Sequence, residues 1–99
     1  MEYGGSIYIL TNKTRTTLYI GVTKNLRNRI TQHKMRIHPE SFSNRYNLEV
    51  CVYYENFSRI EEAIAREKQL KKWSRLKKEL LINSTNPAWN DLWNEISEW

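Results

Sequence analysis

Two short apolar runs, each with a tyrosine inside, stand close together near the start of the chain and constrain its fold most. The runs are SIYILT at residues 6–11 and TLYIG at residues 17–21, and the polar stretch NKTRT separates them. Runs rich in β-branched and aromatic residues around a short polar connection are typical of a β-hairpin. With a turn centred on residues 13–14, Tyr8 would lie directly opposite Tyr19, so the two phenols would share one face of the sheet.

The rest of the chain predicts a third strand and four helices in one domain of residues 1–99. The strand is LEVCVYYE at residues 48–55, whose imperfect alternation is typical of burial on both faces. The order β-β-α-β-α-α-α indicates the α+β class, with a small three-stranded antiparallel sheet flanked by helices. The last helix is expected to be an acidic, tryptophan-rich extension that begins with Asn86 as its cap and Pro87 in its first turn. The predicted helices are residues 24–37, after a cap at Thr23, and residues 58–73, 74–83 and about 86–98.

The charge is distributed unevenly along the chain. Residues 79–99 carry four acidic side chains and no lysine or arginine, whereas residues 1–78 hold all sixteen basic residues against seven acidic ones. A positive body favours a polyanionic partner such as nucleic acid, although a solvated basic surface would give the same pattern.

Targeting and cysteine signals point to an ordinary intracellular chain. No apolar run approaches the roughly 20 residues of a membrane span, and the first residues do not resemble a secretion signal. The single cysteine, Cys51, lies in an apolar run and is expected to be buried and inert, with no internal disulfide. We therefore expect a cytoplasmic location.

Several side chains with chemical potential are expected to converge on the tyrosines. Gly21 ends the second strand, where it permits a backbone conformation or a close approach that a side chain would block. Arg29 and His33, one turn apart on the next helix, then project back past the sheet. Glu67 lies near the middle of an apolar helical stripe, so this carboxylate needs a cation or a metal ion beside it.

This set of residue types excludes several reaction classes and suits one. The sequence has no glycine elbow around a serine, no phosphate-binding GxxxxGK[ST] loop and no zinc-ligand spacing. Phosphodiester hydrolysis needs a base for the attacking water, a cation for the developing charge and neutralisation of the leaving oxygen. One carboxylate can anchor a single Mg²⁺ whose other ligands are water and phosphate.

The segments SIYIL and TLYIG, followed by VTKNLRNRITQH, resemble the GIY-YIG nuclease family. The Tyr-Ile-Gly half is intact at residues 19–21, while the other half, at residues 6–8, has serine in place of the first glycine. Arg29 falls where the family has its catalytic arginine, His33 where it has a histidine or tyrosine, and Glu67 resembles its metal-binding glutamate. The stretch AIAREKQLKKWSRLKKELLI resembles small stand-alone bacterial members, close to the excinuclease-amino-terminal-like group.

The resemblance implies a role for each of these positions. Tyr8 and Tyr19 would activate or position the attacking water, with a preference for Tyr8 as the base. Arg29 would neutralise the scissile phosphate, and His33 would position the phosphate or share a proton with a tyrosine. Glu67 would ligate one Mg²⁺ or Mn²⁺ ion. A late asparagine also lines the family's site, and both Asn83 and Asn86 qualify.

Basic side chains outside this set are candidates for holding the nucleic acid. Residues 66–78 carry seven positive charges against one glutamate, and a basic stripe on a helix can track a phosphate backbone. Helical spacing puts three of these residues on one side, and three more precede the third strand. The candidates are Arg27, Lys34, Arg45, Lys68, Lys72 and Arg75.

Three hypotheses remain open at this point. The first is a metal-dependent endonuclease acting on DNA, with RNA left open as a substrate. The second is a catalytically silent nucleic-acid-binding module on the same fold, and the third is a small structural domain whose tyrosines belong to the core. The sequence leaves open whether a partner protein supplies specificity, whether the role lies in DNA repair, restriction or mobile elements, and the oligomeric state.

Overall fold

Three strands form one antiparallel sheet in the order β2-β1-β3, so the first strand lies in the middle. They are β1 at Gly5–Thr11, β2 at Leu18–Thr23 and β3 at Val50–Phe57. The protein is represented by a computed structural model that describes residues 3–35 and 46–99. Within these residues the predicted α+β class and element order are confirmed. Most of the polar loop HPESFSNRYN, predicted before the third strand, lies outside the described residues.

The hairpin pairs two residues away from the register that the sequence predicts. Tyr8 lies opposite Gly21, and Leu10 is the residue opposite Tyr19. The prediction that the two tyrosines face each other directly is therefore wrong. Because side chains alternate with a period of two, a shift of two residues still leaves both tyrosines on the same face of the sheet.

The side chain of Asn12 explains this register. The Arg15 amide donates to the Asn12 carbonyl at 3.0 Å, as a tight turn centred on residues 13–14 requires. The side-chain oxygen of Asn12 then accepts from the amides of Thr16, at 2.9 Å, and Thr17, at 3.3 Å. These bonds keep two further residues out of the ladder, so pairing begins only beyond the loop.

In the described residues four helices cover the two faces of the sheet, and each face has its own core. Helices α2 and α3 pack on the face formed by Ile7, Ile9 and Ile20, whereas α1 and α4 pack on the face formed by Tyr8 and Leu10. The two faces alternate along β1, as the pleat of a strand requires. The helices are α1 at Leu26–Met35, α2 at Ile60–Lys71, α3 at Arg75–Thr85 and α4 at Trp93–Ile96.

Helix α1 begins later than the sequence predicts. Thr23 is the last residue of β2, and its hydroxyl accepts from the Asn25 amide at 3.1 Å. The side chain of Asn25 then accepts from the Asn28 amide at 3.0 Å, which satisfies one of the free donors of the first turn. Asn25 therefore does the capping that was predicted for Thr23.

The long C-terminal helix predicted at residues 86–98 is wrong, since α4 covers only Trp93–Ile96. Asn86 does not begin a helix but ends α3, and its side chain is buried. Its Nδ2 donates to the carbonyls of Val52, at 3.0 Å, and Asn90, at 2.9 Å, while its Oδ1 accepts from the Asn90 amide at 3.1 Å. These bonds hold the residues after α3 in a turn against β3, and that turn replaces the first part of the predicted helix.

Cys51 is buried and free, as the sequence predicts. Burial, the largest effect on this group, raises the pKa of the Cys51 thiol to about 12. The thiol therefore stays protonated at neutral pH. In the described parts of the chain, no helix is both long enough and apolar enough to cross a membrane.

Candidate active site

Three aromatic rings from three different elements meet on the α1 side of the sheet. Tyr8 comes from β1, Tyr19 from β2 and His33 from α1. The ring centroids of Tyr8 and Tyr19 are 6.3 Å apart, and those of His33 lie 5.7 Å from Tyr8 and 6.1 Å from Tyr19. The Tyr8 hydroxyl lies 3.2 Å from Nε2 of His33. The structure thus brings together three of the four residues predicted to be catalytic.

Arg29 is the fourth, and its charge acts on the same phenol. It lies one turn before His33 on α1 and is half-buried. The guanidinium of Arg29 lowers the pKa of the Tyr8 phenol. The Tyr8 hydroxyl is therefore in contact with an imidazole and under the influence of a guanidinium.

The Tyr8 phenol is fully buried, and its environment favours the protonated form. Burial raises the pKa of Tyr8 well above its usual range, and the neighbouring Tyr19 raises it further. Arg29 lowers the pKa of Tyr8 but does not reverse the effect of burial. In the metal-free protein the phenol therefore keeps its proton at neutral pH.

Gly21 makes this arrangement sterically possible. A Cβ atom at this position would lie 2.3 Å from both Cζ and the hydroxyl oxygen of Tyr8. In the described residues no glycine has a positive φ, so the need for glycine here is not conformational. Of the two reasons that the sequence offers for Gly21, the structure shows close approach to be the relevant one.

Replacing Gly21 with alanine is expected to lower the free energy of unfolding by roughly 1–3 kcal/mol, because the new methyl group overlaps the Tyr8 ring. Urea unfolding would measure the loss. In a Tyr8→Leu background the same substitution should cost much less, since the ring is gone. An equal cost in both backgrounds would show that the methyl group clashes with something other than Tyr8.

Glu67 lies on a helix that packs on the opposite face of the sheet from the ring cluster. It lies on α2, on the same side of the helix as the core residues Ala63 and Leu70, and its side chain is only 16% exposed. Its carboxylate pairs with the ammonium of Lys71, one turn later, at 3.4 Å. Arg29, another cation that could pair with Glu67, lies on α1, which packs on the opposite face of the sheet.

The surroundings of α2 show which edge of the sheet Glu67 faces. Arg66, on one flank of the helix, binds Glu55 of the edge strand β3, with Nε 3.0 Å from Oε1. Lys71 instead lines a cleft together with residues 18–20 of β2, the opposite edge strand. Since Glu67 pairs with Lys71, it belongs to the β2 side, where Tyr19 also lies.

The donor atoms of Glu67 could hold one hard divalent cation. In residues 3–35 and 46–99 no group of three or more His, Cys, Asp or Glu side chains could hold a metal. Magnesium is commonly bound by one or two carboxylates, with water and substrate phosphates as the other ligands. Glu67, whose side chain is largely buried and pairs with the ammonium of Lys71, is the residue that fits this description.

Two of the predicted nucleic-acid contacts are engaged within the protein. Lys34 pairs with Asp91 at 2.5 Å and also donates to the carbonyl of Glu49 at 3.0 Å. Arg27 is exposed and donates to the carbonyl of Trp99 at 2.8 Å. Both side chains link α1 to neighbouring segments of the chain.

The other basic candidates differ in how accessible they are. Lys68 is exposed on α2, and Lys72, which caps the C-terminal end of this helix, is exposed as well. Arg75 pairs with Glu79 at 2.6 Å and donates to the carbonyls of residues 15 and 16, so it fastens α3 to the hairpin loop. Arg45 lies outside the described residues.

The two asparagines proposed as site support make structural contacts. Asn83 accepts from the indole of Trp89 at 2.6 Å. Asn86 makes the bonds to β3 and to the following turn described above.

The sequence analysis did not single out Lys71 and Lys78. They line the cleft at the β2 edge with Leu18, Tyr19 and Ile20. The signal was present, since Lys71 follows Glu67 by four residues on the same helical face.

The arrangement suits an attack on a phosphate group. A guanidinium near a phenol, with a second phenol beside it, is the kind of set that could stabilise charge and activate water. The carboxylate of Glu67 could hold a divalent cation near the β2 edge of the sheet. Among the described residues that line the β2-edge cleft none is acidic, which keeps the cleft favourable for an anion.

Comparisons with known proteins agree with this chemistry. The family described as the GIY-YIG catalytic domain matches residues 4–79, which include β1, the ring cluster and Glu67. No curated protein and no solved structure shows significant similarity to the chain. Since the family match covers more than half of the chain and includes every residue of the ring cluster, this protein belongs to the GIY-YIG nuclease family.

Proposed function

We propose that this protein is a metal-dependent endonuclease that hydrolyses DNA phosphodiester bonds with the help of one Mg²⁺ or Mn²⁺ ion. The observation that carries the proposal is the setting of the Tyr8 hydroxyl, which lies 3.2 Å from Nε2 of His33, beside the ring of Tyr19 and under the influence of the Arg29 charge. A phenol in contact with an imidazole and influenced by a guanidinium is an arrangement that suits proton transfer next to a phosphate.

Arg29 neutralises the scissile phosphate in this scheme. Negative charge develops on the phosphate oxygens as the water attacks, and a fixed guanidinium stabilises that charge most effectively where water is excluded. Arg29 is half-buried, which limits its competition with solvent. Its planar donor group also restricts how the phosphate can sit.

Tyr8 and His33 move the proton of the attacking water. Because the phenol keeps its own proton at neutral pH, it passes that proton to Nε2 of His33 as it takes one from the water. This relay requires His33 to be uncharged at Nε2 before the attack. Tyr19, whose ring contacts both other rings, orients the water.

Glu67 would hold the divalent cation. When bound, the ion supplies neutralisation of the leaving oxygen and of the phosphate. The exposed residues Lys68 and Lys72, on the same helix, would contact neighbouring phosphates and make binding depend steeply on salt. Membership among the small stand-alone bacterial enzymes, a role in DNA repair and a partner protein that supplies specificity belong to the same proposal.

Nicking of supercoiled plasmid tests the proposal. We expect the wild-type protein to nick DNA with Mg²⁺ or Mn²⁺, and chelation with EDTA to stop the reaction. Glu67→Ala should lose activity, by about two orders of magnitude or more, because the cation site is removed. Glu61→Ala is the matched control, since this carboxylate is exposed on the same helix and pairs only with Arg59 among the contacts described.

Equal nicking by the wild type and Glu67→Ala would contradict the metal-dependent mechanism. Salt-sensitive binding of DNA without cleavage would instead support the silent binding module. A panel of plain, branched, damaged and single-stranded DNA, with RNA alongside, would then identify the preferred substrate.

A further inference from the structure

The ion pair of Lys71 with Glu67 joins the candidate cation site to a neighbouring cleft. The Nζ atom of Lys71 lies 3.4 Å from the Glu67 carboxylate, and the side chain of Lys71 remains 53% exposed. The same lysine lines a cleft of about 390 Å³ together with Tyr19. Lys71 is therefore within reach of both the cation ligand and a surface beside a candidate catalytic residue.

The cleft has the properties of a site for one phosphate group. The described residues that line it are two lysines, one aromatic residue and two aliphatic residues, and none of these carries a carboxylate that would repel an anion. It runs along β2, an edge strand of the sheet. A nucleic-acid strand that places its scissile phosphate at Arg29 and Tyr8 would have a neighbouring phosphate near this edge.

We infer that Lys71 is a phosphate-binding residue that Glu67 holds back until a divalent cation binds. The inference rests on the proposed function. In the metal-free protein the ammonium neutralises the carboxylate, and a cation at Glu67 takes over this task and repels the ammonium. Lys71 then turns into the cleft and, with Lys78, contacts the phosphate next to the scissile one.

This exchange has two consequences that do not depend on catalysis. The cation and the nucleic acid should bind cooperatively, because each removes a competitor of the other. A lysine is suited to such a switch, since its ammonium is a point charge on a long flexible stem.

The test is a double-mutant cycle of Glu67→Gln and Lys71→Met in EDTA, with binding to a short DNA duplex measured by fluorescence anisotropy at several salt concentrations. We expect Glu67→Gln to bind about two- to five-fold more tightly than the wild type, because Lys71 is released from a partly exposed ion pair. The slope of log affinity against log salt should become steeper by about 0.9, which corresponds to one additional phosphate contact. In the Lys71→Met background Glu67→Gln should have neither effect.

The matched control is Lys68→Met, an exposed lysine next to Glu67 in the sequence. In that background Glu67→Gln should tighten binding as it does in the wild type. Equal tightening in the Lys71→Met background would overturn the inference, since Glu67 would then simply repel the nucleic acid. If the wild-type protein binds no nucleic acid at all, the proposed function fails as well.

Titration with Mn²⁺, without nucleic acid, tests the other half of the exchange. Lys71→Met should bind Mn²⁺ about two- to five-fold more tightly than the wild type, because the competing ammonium is absent. Weaker or unchanged binding of Mn²⁺ by Lys71→Met would contradict the competition. Thermal unfolding of each variant would show that the fold is retained.

Discussion

Replacing Arg29 with alanine is expected to slow phosphodiester cleavage by about two to three orders of magnitude under single-turnover conditions, because the developing charge loses its fixed cation. The loss should appear mainly in the rate of the chemical step, and affinity for the substrate should change much less. Arg29 also lowers the pKa of the Tyr8 phenol, so its removal should disturb the proton relay as well.

Arg27→Ala provides the matched control for this prediction. It removes the same functional group from the same helix, but the Arg27 side chain is exposed and donates to the carbonyl of Trp99. We expect Arg27→Ala to keep a cleavage rate within a few-fold of the wild type. Comparable losses in both variants would mean that overall positive charge, and not the position of Arg29, matters.

The strands and the order of elements could be predicted because they depend on local patterns. Alternating apolar and aromatic residues mark β1 and β2, and the connection between them is polar. The register could not be predicted, since it depends on bonds from one side chain, that of Asn12, to two backbone amides. Composition alone does not tell whether an asparagine in a loop makes such bonds.

The structure of the C-terminal region also could not be predicted from local sequence patterns. Asn-Pro followed by an apolar periodicity is a good helix start, and the prediction of a long last helix followed that rule. The buried amide of Asn86 binds β3 and the next turn instead, and these tertiary bonds override the local preference. A contact across 34 residues leaves no local signal in the sequence.

The candidate site divides in a similar way. Tyr8, Tyr19, Arg29 and His33 could be placed together from the strands and from helical spacing, and a two-residue error in register did not change their face. Which basic side chains pair within the protein could not be predicted, because pairing depends on residues that are distant in the sequence. Lys34 meets Asp91, and Arg75 meets the hairpin loop.

Tyr8→Phe is expected to lower the cleavage rate by about two to four orders of magnitude, since it removes only the hydroxyl that takes part in proton transfer. The fold should persist, with a loss of roughly 1 kcal/mol in the free energy of unfolding from the missing hydrogen bond. Tyr54→Phe is the matched control, because Tyr54 lies opposite Tyr8 on β3 and bonds Glu95 at 2.7 Å. This control should cleave at close to the wild-type rate, and an equal loss in both variants would contradict a special role for Tyr8.

The most direct test asks whether the two layers of the protein, the ring cluster on one face and Glu67 on the other, act on a single phosphate. It compares single-turnover cleavage rates, at saturating Mg²⁺, of the wild type, Tyr8→Phe, Glu67→Gln and the double variant. Groups that work as one unit show strongly non-additive losses, so the double variant should be no slower than the slower single variant. Losses that multiply in the double variant, or a wild-type rate in either single variant, would contradict a shared active site at the β2 edge.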